Sequence, residues 1–181
     1  MNFKKLNIPD IVLIKPEFHQ DERGFFCESF REDKFQSFVG LKRFVQDNHT
    51  SSKKNVLRGL HYQIKQPQGK IVRVIKGKIF DVAVDLRKQS KYFLKWVGVE
   101  LSSENNHQLW IPEGFAHGFL TLSDDTEVLY KTTDYYSKND ERTIIWNDKD
   151  INIDWPLIEK PIISNKDEKG LEIKLADLFY V

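Results

Sequence analysis

The side chains in this chain that can do chemistry near neutral pH are few and lie far apart. In "VLRGLHYQ" (56–63), Arg58 and His61 stand three residues apart, with Gly59 between them. Lys70 follows in "PQGKIVRV", His117 in "PEGFAHGF", Tyr130 and Tyr136 in "EVLYKTTDYYS", and Asp167 in "ISNKDEKG". Histidine is the side chain best matched to proton transfer at physiological pH. A carboxylate beside it orients the ring and stabilises the imidazolium. A lysine can stabilise an oxyanion developing on a ketone, and a tyrosine hydroxyl can deliver a proton from another direction. Such a set suits removal of a proton next to a carbonyl and its return to the opposite face.

Taken singly, each residue has a plain structural explanation. His61 reads as a half-buried strand histidine, Arg58 as a surface cation, Lys70 as a strand-start lysine, Tyr130 and Tyr136 as core or rim aromatics, and Asp167 as a turn or cap residue. Only their convergence would make a reaction. Other chemistries are poorly supplied. The five histidines contain no His-x-His pair; His61 and His117 alone are a thin coordination set, so no metal is expected. There is no Walker A loop and no G-x-G-x-x-G, so any nucleotide phosphate would be held by side chains. The net charge of +1 gives no footprint for nucleic acid or an anionic membrane. No apolar run approaches the roughly 18 residues of a membrane span. The start, "MNFKKLNIPDIVLIKPEF", lacks the features of a signal peptide and reads as mature sequence. Cys27 is the only cysteine, which excludes an intramolecular disulfide and fits a reducing cytoplasm.

Strands must position these residues, because strand signals dominate. "KIVRVIKGKIFDVAVDLR" gives two β-rich runs around Lys76-Gly77-Lys78, a hairpin signal. In the second run Phe80, Val82, Val84 and Leu86 share one face, and Asp81, Ala83 and Asp85 the other. "KYFLKWVGVELS" and "TEVLYKTTDYY" read as strands, and "HQLWIPEGFAHGFLTLS" as strand, turn, strand. Two short helices are expected, in "REDKFQSFVG" ending near Gly40 and in "LEIKLADLF". The 181 residues suggest one mostly β domain of two packed antiparallel sheets. The N-terminal arm, about residues 1–20, is expected to add a strand to a partner's sheet in a homodimer. A regular strand would send Arg58 and His61 to opposite faces. For both to border one pocket, the chain has to leave strand geometry near Gly59.

The chain resembles the dTDP-4-dehydrorhamnose 3,5-epimerase family of the cupin superfamily over nearly its whole length. Seven blocks in the right order carry the likeness: "DERGFFCESF", "FVQDNHTSS", "VLRGLHYQ", "PQGKIVRVIKGKIFDVAVDLRKQS", "LWIPEGFAHGFLTLSD", "EVLYKTTDYYSKNDERTIIWND" and "ISNKDEKG". The resemblance implies a jelly-roll β-sandwich, a homodimer, and no metal or dissociable cofactor. It implies a cytoplasmic enzyme that inverts C3 and C5 of dTDP-4-dehydro-6-deoxy-D-glucose to give dTDP-4-dehydro-L-rhamnose.

Carried over by position, the resemblance makes His61 the base, Asp167 its dyad partner, Lys70 the stabiliser of the enolate at O4, and Tyr130 the acid on the opposite face. Tyr136 falls near the sugar, and His117 and Arg58 line the substrate pocket. Arg23, Glu28, Gln46, Asn48, Glu141 and Lys166 match ligand-contacting positions, with Arg58, Arg23 and Lys166 suited to a pyrophosphate. The departures are small: threonine for serine in "DNHTSS", threonine for cysteine in "KTTDYY", and Lys166 where some members have arginine. The same catalytic set would also serve a C3-only or C5-only epimerase of a related nucleotide sugar, including a GDP-linked heptose. The 3,4-ketoisomerases lack this Arg-Gly-Leu-His and Tyr130 arrangement. A reading from a different class is a non-catalytic jelly-roll that binds carbohydrate.

Overall fold

The computed structural model describes residues 1–180. In chain order the elements are β1 (Asn2–Lys5), β2 (Val12–Lys15), β3 (Phe18–Asp21), β4 (Gly24–Cys27), α1 (Glu32–Val39), β5 (Gln46–Ser52), β6 (Leu57–Gln63), β7 (Lys70–Lys76), β8 (Lys78–Asp85), β9 (Trp96–Ser102), β10 (Gln108–Ile111), β11 (Phe115–Thr121), β12 (Thr126–Thr132), β13 (Glu141–Thr143) and α2 (Asn165–Glu168). Two antiparallel sheets face each other. One has six strands in the order β1-β2-β10-β7-β12-β5, and the other has five, β13-β6-β11-β8-β9. The β3–β4 hairpin forms a small sheet of its own. This is the mostly β jelly-roll sandwich that the sequence implies.

Strand periodicity explains the layering. Along β7, Val72 and Val74 point into the inter-sheet core with Leu109, Ile111 and Val128, and they meet Ile79, Ala83, Phe115 and Phe119 from the opposing sheet. The alternate residues of the six-stranded sheet, Val12, Ile14, Ile71 and Trp110, point outwards and are covered by Phe35 of α1. The outward residues of the five-stranded sheet, among them Leu60, Val82, Val84 and Leu120, are covered by Ile151, Trp155 and Ile173. Both faces of the central strands are therefore buried, as β7 and β8 require with their near-continuous apolar runs. Helix α1 forms where expected and stops at Gly40, whose φ of +103° suits glycine.

Three expectations need correction. The runs around Gly77 do not pair with each other. β7 lies between β10 and β12, β8 lies between β11 and β9, and Gly77 (φ +78°) carries the chain from one sheet to the other. A hairpin and a crossover between two central strands share the same apolar pattern, so alternation does not separate them. In "KYFLKWVGVELS" the strand begins only at Trp96, because turns bonded Phe93 N–H to Ser90 and Lys95 N–H to Tyr92 occupy the first half.

"LEIKLADLF" yields a single 3-10 turn, Ile173–Leu175, and otherwise runs extended. Parallel bridges tie Leu171 to Ile144 and Phe179 to Arg87, and the Ile173 N–H donates to the Asp148 carboxylate. Docking this strip over the five-stranded sheet outweighs its helical propensity. The "NIPDIVLIKPEF" arm contributes β2 to the chain's own six-stranded sheet, with β1 at that sheet's edge. β2 pairs with β10 and β1 pairs with β2 inside the chain's own sheet.

Candidate active site

The parity problem in "VLRGLHYQ" is solved by a bulge. β6 pairs with β11 so that His61 faces His117 and Arg58 faces Phe119. Those partners are two residues apart on β11, and their counterparts are three apart on β6, so β6 carries one extra residue. His117 and Phe119 share the inward face of their strand, and Arg58 and His61 are therefore brought to that face together. Gly59, at φ +120°, makes the extra step, and its peptide bond to Leu60 is cis.

A side chain does not fit at this glycine. A Cβ there would lie 2.6 Å from Gly118 Cα and 2.7 Å from the His117 carbonyl oxygen. Gly59→Ala is expected to cost about 3 kcal/mol or more through backbone strain and overpacking. A urea unfolding midpoint equal to that of the wild type would show that the backbone relaxes there.

Between the sheets the bulge opens onto a cavity of about 310 Å³. His61 and His117 stand on the wall formed by the five-stranded sheet. Lys70 on β7 and Tyr130 on β12 stand on the opposing wall. The inward row of β5 extends that second wall: Gln46 lies opposite Thr132, and Asn48 opposite Tyr130.

Behind His61, its Nε2 lies 2.5 Å from Oδ1 of Asp167. Asp167 is 2% exposed. It sits in the short helix α2, whose cap Ser164 accepts the Asp167 backbone N–H. Burial would push its carboxyl up, but the bonds from His61 and Ser164 and the neighbouring Lys166 charge hold it below the ordinary carboxylate range. Burial pulls His61 below the ordinary imidazole value, against the pull of Asp167. The pair therefore rests as neutral imidazole and carboxylate, the state in which the ring can accept a proton.

On the facing wall, burial lowers the Lys70 ammonium to about 8, partly offset by the charges of Asp81 and Glu141. Burial raises the Tyr130 phenol, with Arg58 acting in the other direction. Tyr130 therefore stays protonated at neutral pH.

The mouth of the cavity is braced by a polar network. Tyr136 Oη donates to Glu141 at 3.1 Å, and Lys166 Nζ donates to the other Glu141 oxygen at 2.7 Å. The Lys166 bond and charge outweigh burial and keep Glu141 below its ordinary value. Gln46 accepts the Tyr136 backbone N–H and donates to Asn48. Arg58 is tethered to β5 through Ser52 Oγ at 3.1 Å and the Ser51 carbonyl at 3.3 Å.

Eleven of the thirteen residues named from the sequence thus converge: ten line the cavity, and Asp167 stands behind His61. Arg23 and Glu28 do not join them. Arg23 sits on the turn of the β3–β4 hairpin and pairs with Asp21, while Glu28 pairs with Arg31 and Lys34.

Sequence reasoning missed Asp81. It is fully buried, and its Oδ1 lies 2.7 Å from His117 Nε2, forming a second histidine–carboxylate pair. The available signal was a charged residue alternating with Ala83 in an otherwise apolar strand. The inward-facing Phe119 and Thr50 were missed as well; both line the cavity.

Comparison with known proteins gives the family of the chain. The family model described as dTDP-4-dehydrorhamnose 3,5-epimerase matches residues 5–174. The dTDP-4-dehydrorhamnose 3,5-epimerase of Shigella flexneri is 56% identical over 181 residues, covering 99% of both chains. The crystal structure of the Legionella pneumophila dTDP-6-deoxy-D-glucose-3,5-epimerase in complex with dTDP-4-keto-L-rhamnose is 47% identical. It superposes with a TM-score of 0.97 over 99% of this chain and 98% of that one. A 3'-monoepimerase from Streptomyces bikiniensis, in complex with dTDP-quinovose, is more distant, at 31% identity and a TM-score of 0.88 over 93% of this chain and 86% of that one. With the family model spanning most of its length and a relative more than half identical to it, the chain belongs to the dTDP-4-dehydrorhamnose 3,5-epimerase family.

Proposed function

We propose that this enzyme inverts both C3 and C5 of dTDP-4-dehydro-6-deoxy-D-glucose, giving dTDP-4-dehydro-L-rhamnose. One observation carries the reading: the His61–Asp167 pair and Tyr130 stand on opposite walls of one cavity, with Lys70 beside Tyr130's strand. A flat keto-sugar ring held between these walls presents one face to His61 and the other to Tyr130.

The C4 ketone acidifies its neighbouring carbons. His61 takes the proton from one of them, Asp167 stabilises the imidazolium, and negative charge moves to O4. The Lys70 ammonium stabilises that oxyanion in a site shielded from water, which is typically the largest single contribution to such catalysis. Tyr130 returns a proton to the far face, and the centre inverts. The cycle repeats at the second carbon. The cation Arg58 and the Lys166–Glu141 pair suit the nucleotide diphosphate end.

Proton NMR in D₂O with the 4-keto nucleotide sugar tests the whole reading. Deuterium at both C3 and C5 with formation of the L-sugar is the expected result. Label at a single carbon would demote the chain to a monoepimerase, and no label at all would make it a binding protein.

The pH profile tests the assignment of charge. His61 must be neutral and Lys70 protonated, so kcat/KM should fall on both sides. The acid limb lies under the ordinary imidazole value of 6.5, because burial depresses His61. The alkaline limb lies near 8, where Lys70 loses its proton. In Lys70→Arg the guanidinium does not deprotonate, and the alkaline limb should move up with a lower plateau. An alkaline limb still at 8 in that variant would assign it to another group.

A homodimer completes the reading. The β3–β4 hairpin holds Phe25 and Phe26 at 63% and 66% exposure and keeps Arg23 and Glu28 away from their own cavity. At the edge of the six-stranded sheet, β5 offers unpaired backbone groups beside the cavity. Docking a second copy's hairpin there would cover both phenylalanines and supply a cation for the pyrophosphate. Sedimentation as a monomer at micromolar concentration would count against it. The cytoplasm, where nucleotide sugars are made, is the corresponding place of action.

A further inference from the structure

Among the described residues, two buried side-chain polar atoms have no hydrogen-bond partner, and both belong to the active-site region: Asp81 Oδ2, behind His117, and Thr50 Oγ1. Buried polar groups are almost always paired, so an orphan in a binding cavity calls for a partner brought by the ligand. Thr50 lines the cavity from β5. Its neighbours in the inward row are already engaged: Gln46 with Asn48 and Tyr136, and Ser52 with Arg58. Thr50 alone in that row has a buried side-chain polar atom with no partner.

Position along the strand indicates what it meets. Asn48 lies opposite the acid Tyr130, Thr50 opposite Val128, and Ser52 opposite Thr126. Alternate residues of a strand are about 7 Å apart. Thr50 therefore stands one step from the level of Tyr130, towards the place where Arg58 is tied down. Arg58 cannot receive the Thr50 proton, since a guanidinium offers no acceptor. Its Nε and one NH2 hydrogen are directed at Ser52 and Ser51, which leaves the rest of the fork for an anion. A hydroxyl and a guanidinium lining one cavity, with the guanidinium tied to the two residues that follow Thr50, can make a two-donor seat for one phosphoryl group.

We propose that the Thr50 hydroxyl binds substrate by donating to an oxygen of the sugar-proximal phosphoryl group, alongside Arg58. This rests on the dTDP-sugar reading above. The donor sets where the diphosphate stops and the sugar begins, and so helps to register the ring between His61 and Tyr130.

Calorimetric titration with dTDP and with dTMP tests the assignment, using wild type, Thr50→Val and Thr50→Ser. Valine keeps the shape and removes the hydroxyl, while serine keeps the hydroxyl. Thr50→Val should weaken dTDP binding about tenfold or more, the effect of losing a hydrogen bond to a charged group. It should leave dTMP binding within twofold, because dTMP lacks the phosphoryl group in question. Thr50→Ser should bind dTDP as the wild type does.

Unchanged dTDP affinity in Thr50→Val overturns the proposal. Equal weakening of dTDP and dTMP also overturns it, since the cavity would then have been distorted as a whole. A loss confined to kcat, with dTDP affinity intact, would move the hydroxyl to the reacting sugar and overturn it too. Failure of wild type to bind dTDP would fall first on the proposed function and would take this contact with it.

Discussion

His61→Asn is expected to lower kcat for epimerisation by about 10³–10⁴-fold and to stop solvent deuterium entering at C3 and C5 alike. General acid–base assistance is worth roughly 10²–10⁴-fold per group, and a single base serving both carbons puts the loss towards the upper end. Asparagine is shorter than histidine and its amide ends near the level of the ring's Nδ1, so Asp167 loses its bond from Nε2; water entering the vacated space beside the cavity can take that partner's place, and the fold should hold. Thermal unfolding within about 2 °C of the wild type would establish that; 1 kcal/mol is worth roughly 2–4 °C at this chain length. Exchange in D₂O at the wild-type rate would remove His61 from the role of base. Exchange lost at one carbon only would mean that a second base serves the other, and His117 with its buried Asp81 partner is the group placed to do so.

The site's residues lie far apart in the chain and were legible as a set only through the family resemblance, whereas two local features could be read directly. The residues around Gly59 already required a departure from strand geometry if Arg58 and His61 were to meet, and the bulge against β11 supplies it. Helix α1 was legible because its stop signal, Gly40, is local.

What the sequence hides are choices made by distant partners. Whether the chain turns back or crosses over at Gly77 depends on β10, β12, β11 and β9 lying on either side, and no pattern inside "VIKGKI" distinguishes the two. Asp81 alternates with Ala83 and Asp85, which resembles a solvent-facing strand edge. In fact that face is the core, and the two carboxylates are matched by His117 and Arg87 from elsewhere in the fold. Arg23 and Glu28 show the remaining limit. The family pattern names them as ligand contacts, and the folded single chain leaves Arg23 on the turn of a separate hairpin and Glu28 just after it, away from the cavity; no local signal in the sequence says so.

Tyr130→Phe should separate proton loss from inversion. Phenylalanine keeps the ring that packs against Val72 and Val128 in the inter-sheet core, so stability should be little changed. It removes the hydroxyl that burial keeps protonated well above neutral pH. His61 can still withdraw a proton towards its own wall, and Lys70 can still hold the enolate. The imidazolium can exchange with solvent and return a deuteron to the same face, which labels the carbon without inverting it. Formation of the L-sugar should therefore fall by about 10²–10³-fold, within the range for one acid–base group, while deuterium continues to enter the unconverted substrate at a rate much nearer the wild type. The ratio of label in recovered substrate to label in product is the measurement. If washout and inversion fall together by the same factor, the hydroxyl serves enolate formation itself, and the donor to the far face must be sought elsewhere on the wall that carries Lys70.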